Sequence, residues 1–265
     1  MTVAARNNVH EHGHADAQPM LFAHGFGCDQ SMWSHVWPAF ADRYRVVLFD
    51  HVGAGGSDPD AFDRDRYASL RGYADDVLEI CDELHLTDVV FVGHSVSAMI
   101  GVLAATAEPE RFSRLVLVGP SPRYVDDEGY VGGFTSEDID ELLESLDSNY
   151  LGWSSAMAPV IMGNADRPQL AEELETSFCR TDPEIASHFA RTTFLSDNRE
   201  DLEHVTTPSL VLQCAQDAIA PEPVGRYVHE RLRESTFVQM RATGHCPNVS
   251  APEETIAAIR TFLDG

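Results

Sequence analysis

The chain contains no lysine. All 18 of its basic residues are arginine, against 43 Asp and Glu, which leaves a formal net charge of −25. Binding nucleic acid or an anionic membrane surface needs clustered positive charge, so neither is an expected partner. Arginine without lysine, together with excess acid, fits either GC-rich codon usage or a high-salt habitat, where acidic surfaces stay hydrated after their repulsion is screened. Cysteine is also scarce. The five are Cys28, Cys81, Cys179, Cys214 and Cys246, an odd number with no CxxC pair. They read as reduced thiols of a cytoplasmic protein, not as a disulfide framework or a zinc site. No run approaches the roughly 20 apolar residues of a membrane span. Residues 1–18 lack the apolar core of a signal peptide. His10, His12 and His14 share one face of an extended segment. No further ligand closes a metal site around them, so they read as a polar terminal hairpin and no metal is expected.

What is present is enough to build a full core. The chain has 265 residues, 43% of them hydrophobic and 9% aromatic, so disorder is not expected. Short apolar runs recur at residues 20–23, 45–49, 89–92, 115–118, 210–213 and 236–240. Runs such as VVLF, VVFV and LVLV lack strict alternation and read as strands buried on both faces of a parallel sheet. Helical segments lie between them. Residues 67–85 place Leu70, Tyr73, Val77, Ile80, Cys81 and Leu84 on one stripe, and residues 98–107 and 253–263 form two more helices. This alternation predicts an α/β fold with a mostly parallel, doubly wound sheet. The rhythm stops at residues 123–195, where the pattern is helical and acidic. The first helix there spans 136–150 and opens at Ser136, with Glu137 and Asp138 suiting the dipole of its first turn. The predicted organisation is a core of residues 1–122 and 196–265, with 123–195 inserted as a helical lid over the carboxyl edge of the sheet.

The strongest local signal is residues 89–98, VVFVGHSVSA. A buried strand runs into a small–x–Ser–x–small turn and then an apolar helix, the context of a nucleophile elbow. Gly93 meets the demand for a small residue two before Ser95. Ser97 stands two after it, where glycine is usual. A serine hydroxyl needs a base. His245, in the loop after the last strand, is the candidate, and Asp217, in the turn after residues 210–213, is the acid that would orient it. Asp197 and Asp201 are rivals, but no strand leads into either. The oxyanion hole falls to the N–H groups of Val96 and of Phe26, in the glycine-rich loop after residues 20–23. Residues 50–58 (DHVGAGGSD) carry Gly53-x-Gly55, but Asp58 stands where a dinucleotide loop needs its third glycine.

These stretches resemble the α/β-hydrolases, and among them the RsbQ-type hydrolases of bacterial stress sigma-factor regulation and the plant karrikin and strigolactone receptors. The likeness runs from residue 6 to residue 263. It is carried by FAHGFGCDQSMW (22–33), VLFDHVGAGGSD (47–58), FVGHSVSAMIG (91–101), GPSPRY (119–124), SFCRTDP (177–183) and GHCP (244–247). It implies an α/β-hydrolase fold with a four-helix lid, and it places the family's catalytic residues on Ser95, Asp217 and His245. It also implies a narrow apolar pocket formed by Phe26, Tyr124, Phe134, Trp153, Met157 and Phe194. Ser97 departs from the RsbQ-type glycine and matches the plant form. The implied activity is hydrolysis of a small hydrophobic ester or lactone through an acyl-enzyme, with no cofactor. A second implication is a signalling module whose lid recruits a protein, for RsbQ-type members a PAS-containing serine/threonine phosphatase. A cofactor-free haloperoxidase or carbon–carbon bond hydrolase on the same fold stays open. A haloalkane dehalogenase would need Asp in place of Ser95.

Overall fold

The computed structural model describes residues 1–265. Seven strands form one sheet: β1 (His10–Gly13), β2 (Pro19–Ala23), β3 (Arg45–Leu48), β4 (Val89–His94), β5 (Phe112–Val118), β6 (Ser209–Gln213) and β7 (Ser235–Gln239). Their order is β1-β3-β2-β4-β5-β6-β7, and only β1 runs antiparallel to its neighbour. The predicted strands all form. Strands β2, β4 and β6 are buried along their whole length, as their unbroken apolar runs require.

Alternate side chains feed opposite layers. Leu21, Phe91, Leu115, Leu117 and Val211 face one core, and Met20, Phe22, Val90, Val92, Val116, Leu210 and Leu212 face the other. The helices are α1 (Val3–Arg6), α2 (Leu70–Glu83), α3 (Val96–Ala107), α4 (Ser136–Ser148), α5 (Tyr150–Met162), α6 (Pro168–Phe178), α7 (Pro183–Phe194), α8 (Glu222–Arg231), α9 (Pro247–Ser250) and α10 (Pro252–Asp264). Helices α2, α3 and α8 cover the first face, and α10 packs on the second through Ile259. No helix is long and apolar enough to cross a membrane.

Helices α4 to α7 stand between β5 and β6 as a lid-like insertion with its own apolar cluster. The first of them is entered one residue earlier than its sequence pattern indicated. Thr135, not Ser136, is the N-cap: its hydroxyl accepts from the Asp138 N–H at 3.1 Å, while the Asp138 carboxylate accepts from the Thr135 N–H at 2.8 Å. The box uses an aspartate at its fourth position, which is why a search for Glu or Gln passes over it. The helix also ends before residue 150, because Asn149 breaks it and caps α5 by accepting from the Gly152 N–H at 3.0 Å. The histidine-rich segment is likewise more than a hairpin. Residues His10–Gly13 form the exposed edge strand, and His12 stacks on Trp37 at 4.2 Å.

The N-terminal segment is bound to α2 through the carboxylates of Asp76, Glu79 and Glu83, of which Asp76 is buried. Asp76 on α2 accepts from Arg6 at 2.9 Å, Arg66 at 2.6 Å and the Tyr67 hydroxyl at 2.9 Å. Removing it leaves the Tyr67 hydroxyl without a partner and leaves both guanidinium groups with only the half-exposed Glu79, which meets Arg6 at 2.6 Å and Arg66 at 2.9 Å. Asp76→Ala is expected to lower unfolding free energy by about 1–3 kcal/mol, read as a fall in urea midpoint; an unchanged midpoint would contradict this.

Candidate active site

The turn from β4 to α3 presents Ser95. Its backbone has φ 57° and ψ −124°, and its N–H is anchored to the Val118 carbonyl at 2.8 Å. A non-glycine residue holds that conformation only under surrounding constraint. Gly93 has to be glycine here, since a Cβ would lie 2.4 Å from the Ser97 carbonyl oxygen. Ser97 has its own employment. Its hydroxyl donates to the His24 carbonyl at 2.5 Å and accepts from His51 Nε2 at 2.7 Å. His24 Nε2 in turn accepts the His51 backbone N–H at 3.0 Å, and its Nδ1 donates to the Gly25 carbonyl at 2.9 Å. All three side chains are buried. Burial, and His24 nearby, hold His51 well below the usual histidine range, so it is the neutral tautomer this chain of bonds requires. The departure from glycine at position 97 therefore links the elbow to the loop after β2.

The loops after β6 and β7 bring two more predicted residues to Ser95. The Ser95 hydroxyl donates to His245 Nε2 at 2.7 Å, and His245 Nδ1 donates to Asp217 at 2.8 Å. The other Asp217 oxygen accepts the N–H groups of Ile219 and Ala220 at 2.8 and 3.0 Å. Burial works to raise the Asp217 carboxyl, but His245 and those two N–H groups outweigh it and hold it below the usual carboxylate range. The rival acids lie elsewhere: Asp197 pairs with Arg123 and Arg199, and Asp201 with Arg71. Val96 opens α3, so its N–H has no acceptor within the helix. The Phe26 N–H donates to no backbone carbonyl. These two groups are free to receive an anion.

Above Ser95 lies a narrow cavity between lid and sheet. Its empty volume is about 490 Å³, mouth included, and side chains of the lid and of the loops at the sheet edge close it to a slot. Phe26, Tyr124, Trp153, Met157 and Phe194 line it, as the sequence led us to expect. Burial pushes the Tyr124 phenol up to about 12, so it stays protonated. Phe134 does not line the slot. It pairs with Val125 in a short bridge ahead of α4 and packs on the lid cluster from outside. Sequence reasoning missed Cys28, Leu142, Ile161, Leu174, Phe178, Thr193, Ile219 and Cys246, which also line it. Cys28 and Cys246 were within reach, as neighbours of the Phe26 loop and of His245. Phe178 lies in the stretch 177–183 that carries the family likeness, while Leu174 and Thr193 carry no signal apart from helical periodicity, because only the folding of α6 and α7 over the sheet turns them inward.

A family model described as "Alpha/beta hydrolase family" matches residues 20–258. The chain is 42% identical to the karrikin insensitive 2 receptor CA of Petunia hybrida over 91% of its own length and 90% of the receptor's. It is 42% identical to the strigolactone esterase RMS3 of Pisum sativum, covering 92% of each chain. A solved hydrolase from Oleispira antarctica superposes with a TM-score of 0.96 at 40% identity, over 99% of this chain and 96% of that one.

A second histidine is buried beside the first. His94 donates through Nε2 to the His245 carbonyl at 2.8 Å, and burial, with His245 adjacent, lowers it to about 3. Between its ordinary 6.5 and about 3, the unfolded chain binds a proton at His94 that the folded protein does not. Stability contributed by neutral His94 is therefore lost as pH falls through that window. Calorimetry across it is expected to show a smaller fall in Tm for His94→Asn than for the unmodified protein; equal falls would contradict the assignment.

Proposed function

Since the chain belongs to the alpha/beta hydrolase family, we propose that it is a serine hydrolase that cleaves a small, uncharged, hydrophobic ester or lactone. The observation that carries this reading is the unbroken relay from Ser95 through His245 to Asp217, with contacts of 2.7 and 2.8 Å, opening on an apolar slot. Ser95 attacks the substrate carbonyl as His245 Nε2 takes its proton. Asp217 keeps Nδ1 protonated and balances the imidazolium. The N–H groups of Phe26 and Val96 receive the oxygen as it becomes an oxyanion. Collapse expels the alcohol, protonated by His245, and leaves Ser95 acylated. His245 then activates a water that releases the acid. Residues 123–195 act as the lid over this chemistry. A charged substrate is disfavoured, because a slot lined mainly by hydrocarbon and aromatic rings offers little to offset the loss of its hydration. The five unpaired cysteines suit work in the cytoplasm.

A second reading is favoured by the 42% identity to a protein named as a karrikin receptor. In it the same slot binds its ligand and turns it over slowly, and the lid docks a protein. An RsbQ-like role in stress signalling would make that protein a PAS-containing serine/threonine phosphatase.

Turnover of a short p-nitrophenyl ester tests the first reading. Ser95→Ala is expected to lower kcat/KM by about a thousandfold or more, and intact mass of the unmodified protein should show an acyl group on Ser95. Full activity in Ser95→Ala would sink the mechanism. Fast turnover with no protein captured, with or without ester, would leave only the enzyme reading.

A further inference from the structure

Every hydrogen-bonding group of His245 is engaged, and one of the bonds comes from the lid. Its ring nitrogens meet Asp217 and Ser95. Its carbonyl accepts from His94 Nε2 at 2.8 Å. Its backbone N–H donates to the carbonyl of Ile161, in the last turn of α5, at 2.8 Å. The candidate base thus sits partly on the end of a lid helix.

The residues after α5 hold that end in place. Gly163 and Asn164 both adopt left-handed backbone, with φ 61° and 55°. The Asn164 amide donates to the Met162 carbonyl at 2.9 Å and to the Thr243 carbonyl at 2.8 Å. Thr243 is two residues before His245. The Asn164 amide oxygen accepts from Arg167 at 2.5 Å, and Arg167 also donates to the Ser250 carbonyl at 2.8 Å. The two backbones touch. A Cβ on Gly244 would lie 1.8 Å from the Met162 carbonyl oxygen, and one on Gly163 would lie 3.2 Å from the Gly244 Cα. From the other side the Gly244 N–H donates to the Gln216 carbonyl at 2.7 Å, beside Asp217. The base loop is therefore clamped between the acid loop and the lid.

We propose that Asn164 is a positioning residue for His245: its amide staples the end of α5 to the base loop and so sets where the imidazole stands. The proposal rests on the serine-hydrolase reading. Asn suits the place on two counts. It tolerates left-handed backbone, and its NH₂ supplies two donors to two carbonyls while its oxygen takes the arginine. Aspartate would keep the backbone and the arginine but lose both donors, setting carboxylate oxygen against carbonyl oxygen. A further consequence is that α5 cannot lift at its C-terminal end without pulling on His245.

Three single variants of the full chain test this: Asn164→Asp, Asn164→Gly and Arg167→Gln. Turnover of p-nitrophenyl acetate is measured with melting temperature and with the downfield proton resonance of His245 Nδ1–H. For Asn164→Asp, kcat is expected to fall by about 10- to 100-fold with KM within about twofold, and the His245 resonance to shift or broaden. Asn164→Gly, which carries no left-handed strain, should show the same loss of kcat and decides the matter if the aspartate variant does not fold. Arg167→Gln should show a smaller loss of the same kind. Wild-type kcat in Asn164→Asp or Asn164→Gly, with Ser95→Ala inactive, overturns the positioning role and leaves the hydrolase reading intact. A rise in KM with unchanged kcat overturns it too, since that is the mark of a loosened pocket. Wild-type activity in Ser95→Ala overturns the hydrolase reading itself.

Discussion

Ser95 holds φ 57° and ψ −124°, a strained backbone of the kind that typically costs about 1–3 kcal/mol. Much of the surrounding structure keeps it there. The Val118 carbonyl takes its N–H, Gly93 leaves room for the Ser97 carbonyl, and the first turn of α3 begins at Val96. The strain lifts the hydroxyl out of the sheet to where the loops after β6 and β7 can deliver Asp217 and His245. A relaxed serine at the same point would cap α3 and face no histidine.

His245 is held by backbone as well as by side chains. His94 grips its carbonyl from the strand before Ser95, and Ile161 grips its N–H from the lid. Ser97 does comparable work on the other side, joining α3 to His24 and the Phe26 loop. A constellation supported through main-chain bonds does not drift with side-chain rotamers, and that rigidity is what proximity catalysis needs.

The acidity of the chain is spent away from this site. Many of the arginines pair with acids, as Arg45 does with Glu11, Arg111 with Asp82 and Glu108, and Arg199 with Asp127 and Asp197. Glu137, Asp140, Glu141 and Glu144 point outward from α4, while Ile139 and Leu143 of the same helix turn to the lid core. Exposed pairs of this kind contribute little stability each. The slot itself is lined mainly by carbon and sulfur, with Asp217 behind His245, so the net charge of −25 bears on the surface and not on the ligand.

Local pattern by itself marked six of the seven strands, because residues buried on both faces must be apolar without interruption, and it marked Ser95, because a strand that ends in a tight turn announces itself; Asp217 and His245 were candidates through their places after late strands, in the chain order of the resembled fold. Capping chemistry was less legible: Thr135 and Asp138 close a box that a search for Glu or Gln does not see. Edge strand β1 was hidden, since an exposed strand carries no apolar signature. What only the tertiary structure decided is everything that depends on the lid folding back. Phe178 and Thr193 enter the slot, Phe134 stays out, and Ile161 and Asn164 reach the loop that carries Thr243 and His245, 79 or more residues away in sequence. An amphipathic helix tells which of its faces is apolar, but the partner of that face, and of its last free carbonyls, is set by packing between segments far apart in the chain.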